Sequence, residues 1–305
     1  MSTLRELKTR IGSVSSSEKI TGAMKMISSA KVHKSERDLR RLLPFKDQIK
    51  SIMGHLLAAD GDYTSPLIEE REISKIGIVV FGSDDGLCGA YNVNIFKQVL
   101  SKINRYRDQY GEAMKFVVYP IGKKMYKAVK KIEADFIEVK SYEGVDSKMS
   151  GDKVTFFTEE LKKSFIEGEL DKVDVVYMNF KSISRQILAE EQLFPVEASA
   201  LGGELDAKSA NKLYIFEPDG NRIFNEVLPM FVLSTMQEIT IENRASEQAA
   251  RIMAMQSAND NAKKLLESLR LEYNKLRQQS ITTELLDILG GQVEKEKTNF
   301  ELIYE

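Results

Sequence analysis

Residues 262–276 read AKKLLESLRLEYNKL, and their pattern decides the fold. Ala262, Leu266, Leu269, Tyr273 and Leu276 recur at intervals of 4, 3, 4 and 3, with mostly charged and polar residues between them. Such a repeat is the a/d seam of a coiled coil, a stripe that needs a second helix to cover it. The seam lies in a stretch, residues 221–289, with no glycine and one proline, Pro229. At 1.5 Å per residue that stretch makes a helix of about 100 Å. Gly290-Gly291 reads as its stop.

A second stripe stands at the other end of the chain. Leu4, Leu7, Ile11 and Val14 are spaced 3-4-3, and Leu42, Phe45, Ile49, Ile52 and Leu56 are spaced 3-4-3-4. Between these runs the face thins to Ser15-Ser16-Ser17, Thr21 and Ser28-Ser29. Residues 3–58 therefore read as one helix of about 80 Å. Pro44 either bends it or costs it one hydrogen bond.

The middle of the chain has a different grammar. Short apolar runs, Ile76–Phe81, Phe116–Tyr119 and Phe136–Val139, alternate with helical patterns at Val93–Tyr110, Lys123–Lys131 and Val154–Glu167. Val173–Phe180, Ile187–Phe194 and Leu213–Phe216 are further strand candidates, with no helix between them. This order predicts an α/β layer fold with a largely parallel sheet and an antiparallel edge. The organisation is then an N-terminal coiled-coil helix (1–58), a linker (59–72), an α/β domain (73–220), a C-terminal coiled-coil helix (221–291) and a tail (292–305). The chain leaves the domain and returns to it, so the two terminal helices are expected to pair antiparallel as a rod on a globular foot.

Composition narrows the function. Of 305 residues, 44 are basic and 46 acidic, giving a formal net charge of −2. That balance argues against a nucleic-acid binder, which carries a basic excess. One cysteine, Cys88, permits neither an internal disulfide nor a cysteine zinc cluster, and His33 and His55 add no metal site. No run approaches the ~18 apolar residues of a membrane span, and the N-terminus carries no apolar signal segment. The chain reads as soluble and intracellular, reaching a membrane only through a partner.

The most enzyme-like segment is Gly82–Asn92, GSDDGLCGAYN, between a strand and a helix, where α/β folds place ligands. Its glycine spacing is not that of a dinucleotide fingerprint, and no lysine stands where a phosphate loop needs one. The plainer reading is a turn requiring glycine dihedrals, with Asp84 and Asp85 capping the next helix. Cys88 has no histidine near it in sequence and reads as structural. Met24 and Met26 read as packing residues or adaptable contacts. Lys31, Lys34, Arg37, Arg40 and Arg41 form either a solvated face or a basic stripe for an acidic partner. From residues alone, this is a rod on a foot with no catalytic constellation.

Three separated motifs go further. They are RIGSVSSSEKITGAMKMISSAK (Arg10–Lys31), SDDGLCGAYN (Ser83–Asn92), and the pair SEQAARIMAMQSANDNA (Ser246–Ala262) and YNKLRQQSITTELLDILGG (Tyr273–Gly291). In this order they resemble the gamma subunit of F-type ATP synthases over nearly the whole chain. The resemblance implies an antiparallel coiled coil on a Rossmann-like α/β domain. It implies a rotor shaft seated in a ring of three alpha and three beta subunits, its foot resting with the epsilon subunit on the membrane c-ring. Such a subunit carries torque between proton flow and ATP synthesis, catalyses nothing, holds no cofactor, and is present once per complex. Its place would be the cytoplasmic face of a bacterial inner membrane, as a peripheral subunit.

Carried over residue by residue, the resemblance makes Met24, Lys25, Arg251, Gln278 and Thr282 contacts between rotor and catalytic head. It makes Ser83, Asp84, Gly86, Cys88 and Gly89 the foot-domain turn. Small and polar positions such as Ser15, Ser16, Ser17, Ala23 and Ala30 would let a shaft slide in its sleeve. Asp85 departs from the family, which usually has arginine there, so this turn lacks that basic contact. The tail after Gly291 is longer than is usual. Two other readings stay open: a small-molecule enzyme using the Gly82–Asn92 loop, and a general coiled-coil scaffold.

Overall fold

A computed structural model describes residues 3–58, 63–132, 134–201, 217 and 219–301, without the side chains of 198 and 290–301. The elements are α1 (Leu4–Ala58), β1 (Lys75–Phe81), α2 (Tyr91–Tyr110), β2 (Lys115–Ile121), α3 (Lys123–Val129) and β3 (Ile137–Val139). They continue with α4 (Gly151–Ile166), β4 (Lys172–Ser182), β5 (Arg185–Phe194), α5 (Ala198–Leu201) and α6 (Gly220–Glu301). The strand expected at Leu213–Phe216 lies outside the described residues, as do 59–62 of the linker and the tail's last four residues. The backbone of α6 stays helical past Gly290-Gly291 to Glu301, so the expected stop there is not made. A glycine costs a helix only about 1 kcal/mol against alanine, which two positions in an 82-residue helix can absorb.

The chain divides into two compact units, Met26–Ala254 and the pair of segments Met1–Lys25 with Met255–Glu305. In the larger unit the sheet runs β3-β2-β1-β4-β5. β1 pairs parallel with β2 and β4, β2 pairs parallel with β3, and β5 adds the antiparallel edge. Both faces are covered, which is why the strand runs are apolar throughout rather than alternating. Ile76, Ile78 and Val80 pack with Ile95, Val99 and Ile103 of α2. Val79 and Phe81 face the other way, in a core with Phe157, Leu161 and Phe165 of α4. The same core takes in Ile49, Met53 and Leu56 of α1 and Phe224, Leu228, Phe231 and Met236 of α6. Each such side chain is worth about 1.5–3 kcal/mol when fully buried.

The terminal helices pair antiparallel in both units. In the larger unit Lys46 is ion-paired to Glu238, and Val32 packs on Ala249 and Ile252. In the smaller one, Lys25 donates to Gln256, and Asn259 donates to the Glu18 carbonyl (2.7 Å) and the Thr21 hydroxyl (3.3 Å). The α6 seam is as expected, with Leu266 and Leu269 buried and Ala262, Tyr273 and Leu276 half-buried. The α1 seam is not. Phe45 and Ile52 are 53% and 42% exposed, while Lys46 and Met53 are buried with Ile49 and Leu56. The reason is that the repeat begun at Leu4 never breaks. Counting 3 and 4 onward from Leu7 gives Glu18, Thr21, Lys25, Ser28, Val32, Ser35, Leu39, Leu42, Lys46, Ile49, Met53 and Leu56, all buried or half-buried. Its middle is polar, so an apolar-only reading loses the phase there and afterwards takes Phe45 and Ile52 in place of their neighbours Lys46 and Met53.

Between Phe231 and Ile252, α6 is buried on nearly every side, against the sheet and against α1. Glu242 accepts a hydrogen bond from Asn179 (2.8 Å) in that packing. Burial, reinforced by Glu238, pushes its carboxyl from 4.5 up to about 7. A raised acid holds its proton longer in the folded state, so its penalty is absent below pH 4.5, grows as pH rises toward about 7 and is full above that. Glu242→Gln is expected to raise the thermal midpoint by roughly 2–4 °C at pH 8 and to leave it unchanged at pH 4. Thermal unfolding at the two pH values checks this, and an equal effect at both would count against it.

Candidate functional site

The expected enzyme-like loop sits at the C-terminal end of β1, where a doubly wound sheet takes its ligands. Its own side chains close it first. Asn92 accepts from the Ser83 backbone N–H (3.0 Å) and donates to the Ser83 hydroxyl (2.8 Å) and toward Cys88 Sγ (3.4 Å). The Ser83 hydroxyl donates to the Asp85 carbonyl (2.8 Å). Cys88 is buried, and burial pushes its thiol up, away from nucleophilic use. Gly89 sits at φ 61°, as a turn glycine does. Gly86 lies between Asp85 and Leu87, half-buried.

Asp84 and Asp85 do not cap the helix that follows them; α2 starts at Tyr91, with Ala90 at the N-cap and no side-chain cap. Asp84 instead reaches sideways. It accepts the backbone N–H of Lys123, the first residue of α3 (3.0 Å), and the Ser147 hydroxyl (2.8 Å). The approach is close: a Cβ on Gly122 would fall 2.8 Å from the Ser83 backbone. Asp85 points outward and pairs with Lys148 (2.9 Å), whose hydrogen bond holds the carboxyl below its usual range.

The crevice beside the turn, between the ends of β1 and β4, is filled by α6. Asn243 donates to the Gly82 carbonyl (3.2 Å) and accepts from the Tyr91 hydroxyl (2.6 Å). Ser246 donates to the Met178 carbonyl (2.9 Å), and Arg244 donates to the carbonyls of Ser147 (3.1 Å) and Met149 (2.8 Å). Arg251 donates to the carbonyls of Asp85 and Gly86 (both 3.3 Å) and to Glu247 (2.6 Å). The last two side chains are 6% and 2% exposed, and burial raises the Glu247 carboxyl against the pull of Arg251. Strand-end groups that elsewhere meet a nucleotide are here satisfied by a helix of the same chain. Among the described residues no cluster of three or more histidine, cysteine or acidic side chains has the geometry to hold a metal.

The proposed contact residues are not gathered in one place. Arg251 is buried in the turn's clamp. Met24 and Lys25 are half-buried on α1, the ammonium of Lys25 engaged by Gln256. Gln278 and Thr282 are exposed on α6, the Thr282 hydroxyl turned back to the Gln278 carbonyl (2.9 Å). Asn243, Arg244 and Glu247 were missed from sequence. The signal was a run of polar residues, Glu242 to Gln248, where a surface helix would show a two-sided pattern.

The family model described as ATP synthase matches residues 3–293. The ATP synthase gamma chain of Bacteroides fragilis is 38% identical over 291 residues, covering 95% of this chain and 99% of that one. The gamma chain of Cytophaga hutchinsonii is 35% identical over 294 residues, covering 95% and 98%. Among solved structures, a chain of the Euglena gracilis mitochondrial ATP synthase (OSCP/F1/c-ring) superposes with a TM-score of 0.62 at 22% identity, covering 95% of this chain and 93% of that one. That likeness is one of fold.

Removing one partner of the buried pair strands the other charge. Arg251→Ala is expected to cost about 3–5 kcal/mol, and the double change Glu247→Gln with Arg251→Met much less. Urea denaturation of the three chains checks this. Equal losses for the single and the double change would mean the pair does not clamp the turn.

Proposed function

This chain belongs to the ATP synthase gamma-chain family, and from that premise we propose that it is the central rotor shaft of a proton-translocating F-type enzyme. Its paired helices would turn inside the ring of three alpha and three beta subunits. Its α/β domain, with the epsilon subunit, would ride on the c-ring at the cytoplasmic face of a bacterial inner membrane. It would be present once per complex and carry torque without catalysing a reaction. Among the described residues no helix is long and apolar enough to cross a membrane, so contact with the bilayer would run through the c-ring.

The observation that carries this reading is the outward face of α1 in the smaller unit. Thr9, Ser13, Ser16 and Ser17 all donate their hydroxyls to carbonyls four residues back, at 3.0–3.2 Å. Hydroxyls satisfied within their own helix offer a neighbour few donors. Ser16, Ser17 and Ala23 are exposed and small. A surface that is polar, short-chained and internally satisfied suits sliding better than locking. On α6, Ile281, Leu285, Leu286, Ile288 and Leu289 are exposed, beyond the last half-buried seam position, Ser280. Apolar side chains in such number favour a partner that surrounds them.

The small-molecule reading loses its site to α6, and the scaffold reading needs a homodimer. Mass measurement of the native assembly separates them: one copy of this chain per six head subunits is expected, and two copies without head subunits would overturn the proposal. Gln278→Ala and Thr282→Ala should leave the thermal midpoint unchanged and reduce ATP-driven proton pumping. Unaltered pumping in both would remove these residues from the contact with the head.

A further inference from the structure

Asn179 of β4 and Glu242 of α6 meet in a half-made pair. The Asn179 amide nitrogen donates to Glu242 Oε2 (2.8 Å). Its carbonyl oxygen, Oδ1, is buried and accepts no hydrogen bond from any described residue. Native interiors rarely leave such an acceptor unmatched, because it has given up water and gained nothing in return. The missing donor is close at hand. Glu242 is 7% exposed, and an ionised carboxylate can only accept. A protonated one carries an O–H as well, and a carboxylic acid beside a primary amide can exchange two hydrogen bonds with it.

The surroundings favour the proton. Burial comes first, and charged groups face Glu242 from every element around it: Glu238 on α6, Glu191 on β5, Lys181 on β4 and Lys46 on α1. Lys46 is held by Glu238, and Glu191 already accepts the Tyr177 hydroxyl. Lys181 is exposed, so its charge is screened.

We propose that Glu242 and Asn179 form a reciprocal acid–amide pair, a proton-operated latch that seats α6 on β4 and opens as the medium turns alkaline. The second oxygen of Glu242, protonated, donates to Asn179 Oδ1 while the amide nitrogen donates back to Oε2. Loss of the proton breaks the first bond, strands Oδ1 and leaves a buried anion near Glu238 and Glu191. The Lys46–Glu238 pair ties α1 to the adjacent turn of α6, so the latch lies where both terminal helices meet the sheet. The inference goes beyond the rotor reading and does not rest on it.

The folded chain holds this proton up to about pH 7, whereas an opened chain releases it near 4.5. Stability from the latch is full below pH 4.5 and is lost as pH rises to about 7. Between pH 6 and pH 8 the opening equilibrium around the pair should rise about tenfold. Backbone hydrogen exchange around Asn179 and Glu242 in the full chain, corrected for intrinsic rates, reads this. Two isosteric changes separate a reciprocal pair from an acid that is merely buried. Glu242→Gln keeps two bonds between amides and should show equal protection at both pH values. Asn179→Asp sets two carboxyls face to face and should lose more than the tenfold of the unaltered chain. The double change Asn179→Asp with Glu242→Gln exchanges the acid and amide ends and should restore the tenfold dependence. Protection in Glu242→Gln that still falls tenfold would overturn the proposal. A double change no better than Asn179→Asp alone would overturn it too, since an acid without a reciprocal partner gains nothing from the exchange.

Discussion

The hydrogen bonds from Asn243, Ser246 and Arg251 to the ends of β1 and β4 fix where α6 crosses the sheet. Much of the rest follows from that crossing. Backbone groups at strand ends must find partners when buried. Where a doubly wound sheet binds a nucleotide, the ligand and its waters supply them. Here they come from one helix, which also carries the seam for α1. A helix used on both faces has no room for a solvent-exposed stripe, and this accounts for the polar yet buried run from Glu242 to Arg251. The turn at Ser83–Asn92 is therefore a joint between a sheet and a helix, built at the address where a catalytic loop would otherwise lie.

Buried charge is an expensive way to build a joint. The Glu247–Arg251 pair and the Lys46–Glu238 pair each replace side chains that an apolar core would accept with less desolvation. What charge adds is exclusivity of position. A guanidinium that must meet two carbonyls and one carboxylate has few alternative registers, whereas leucines slide past one another at modest cost. A part that transmits force has reason to favour a single seating over maximal stability.

The sequence was most legible where burial and hydrophobicity coincide. The five described strands, the helices between them and the α6 seam all follow from apolar spacing, because in each the apolar positions are for the most part the ones the fold covers. Legibility failed where the two part company. Lys46 and Met53 occupy seam positions that Phe45 and Ile52 claimed by hydrophobicity alone, since a lysine with Glu238 opposite it can be buried. Asp84 was expected to cap α2 and instead holds α3, because the loop's partner is set by the strand order and not by chain proximity. Arg251 was assigned by resemblance to an outer contact, and its burial was invisible because nothing in the local pattern shows that α6 is enclosed on both sides. Gly290-Gly291 failed for a milder reason: glycine permits a stop without enforcing one.

The polar stretch of the α1 seam has a mechanical side. From Glu18 to Lys25 the layer positions hold a carboxylate, a hydroxyl and an ammonium rather than interlocking branched side chains. Hydrogen bonds such as those of Asn259 and Lys25 tolerate small angular changes that a packed leucine layer resists by repulsion. Twist applied about the helix axis of the smaller unit is therefore taken up in this stretch before the layers that hold Leu266 and Leu269.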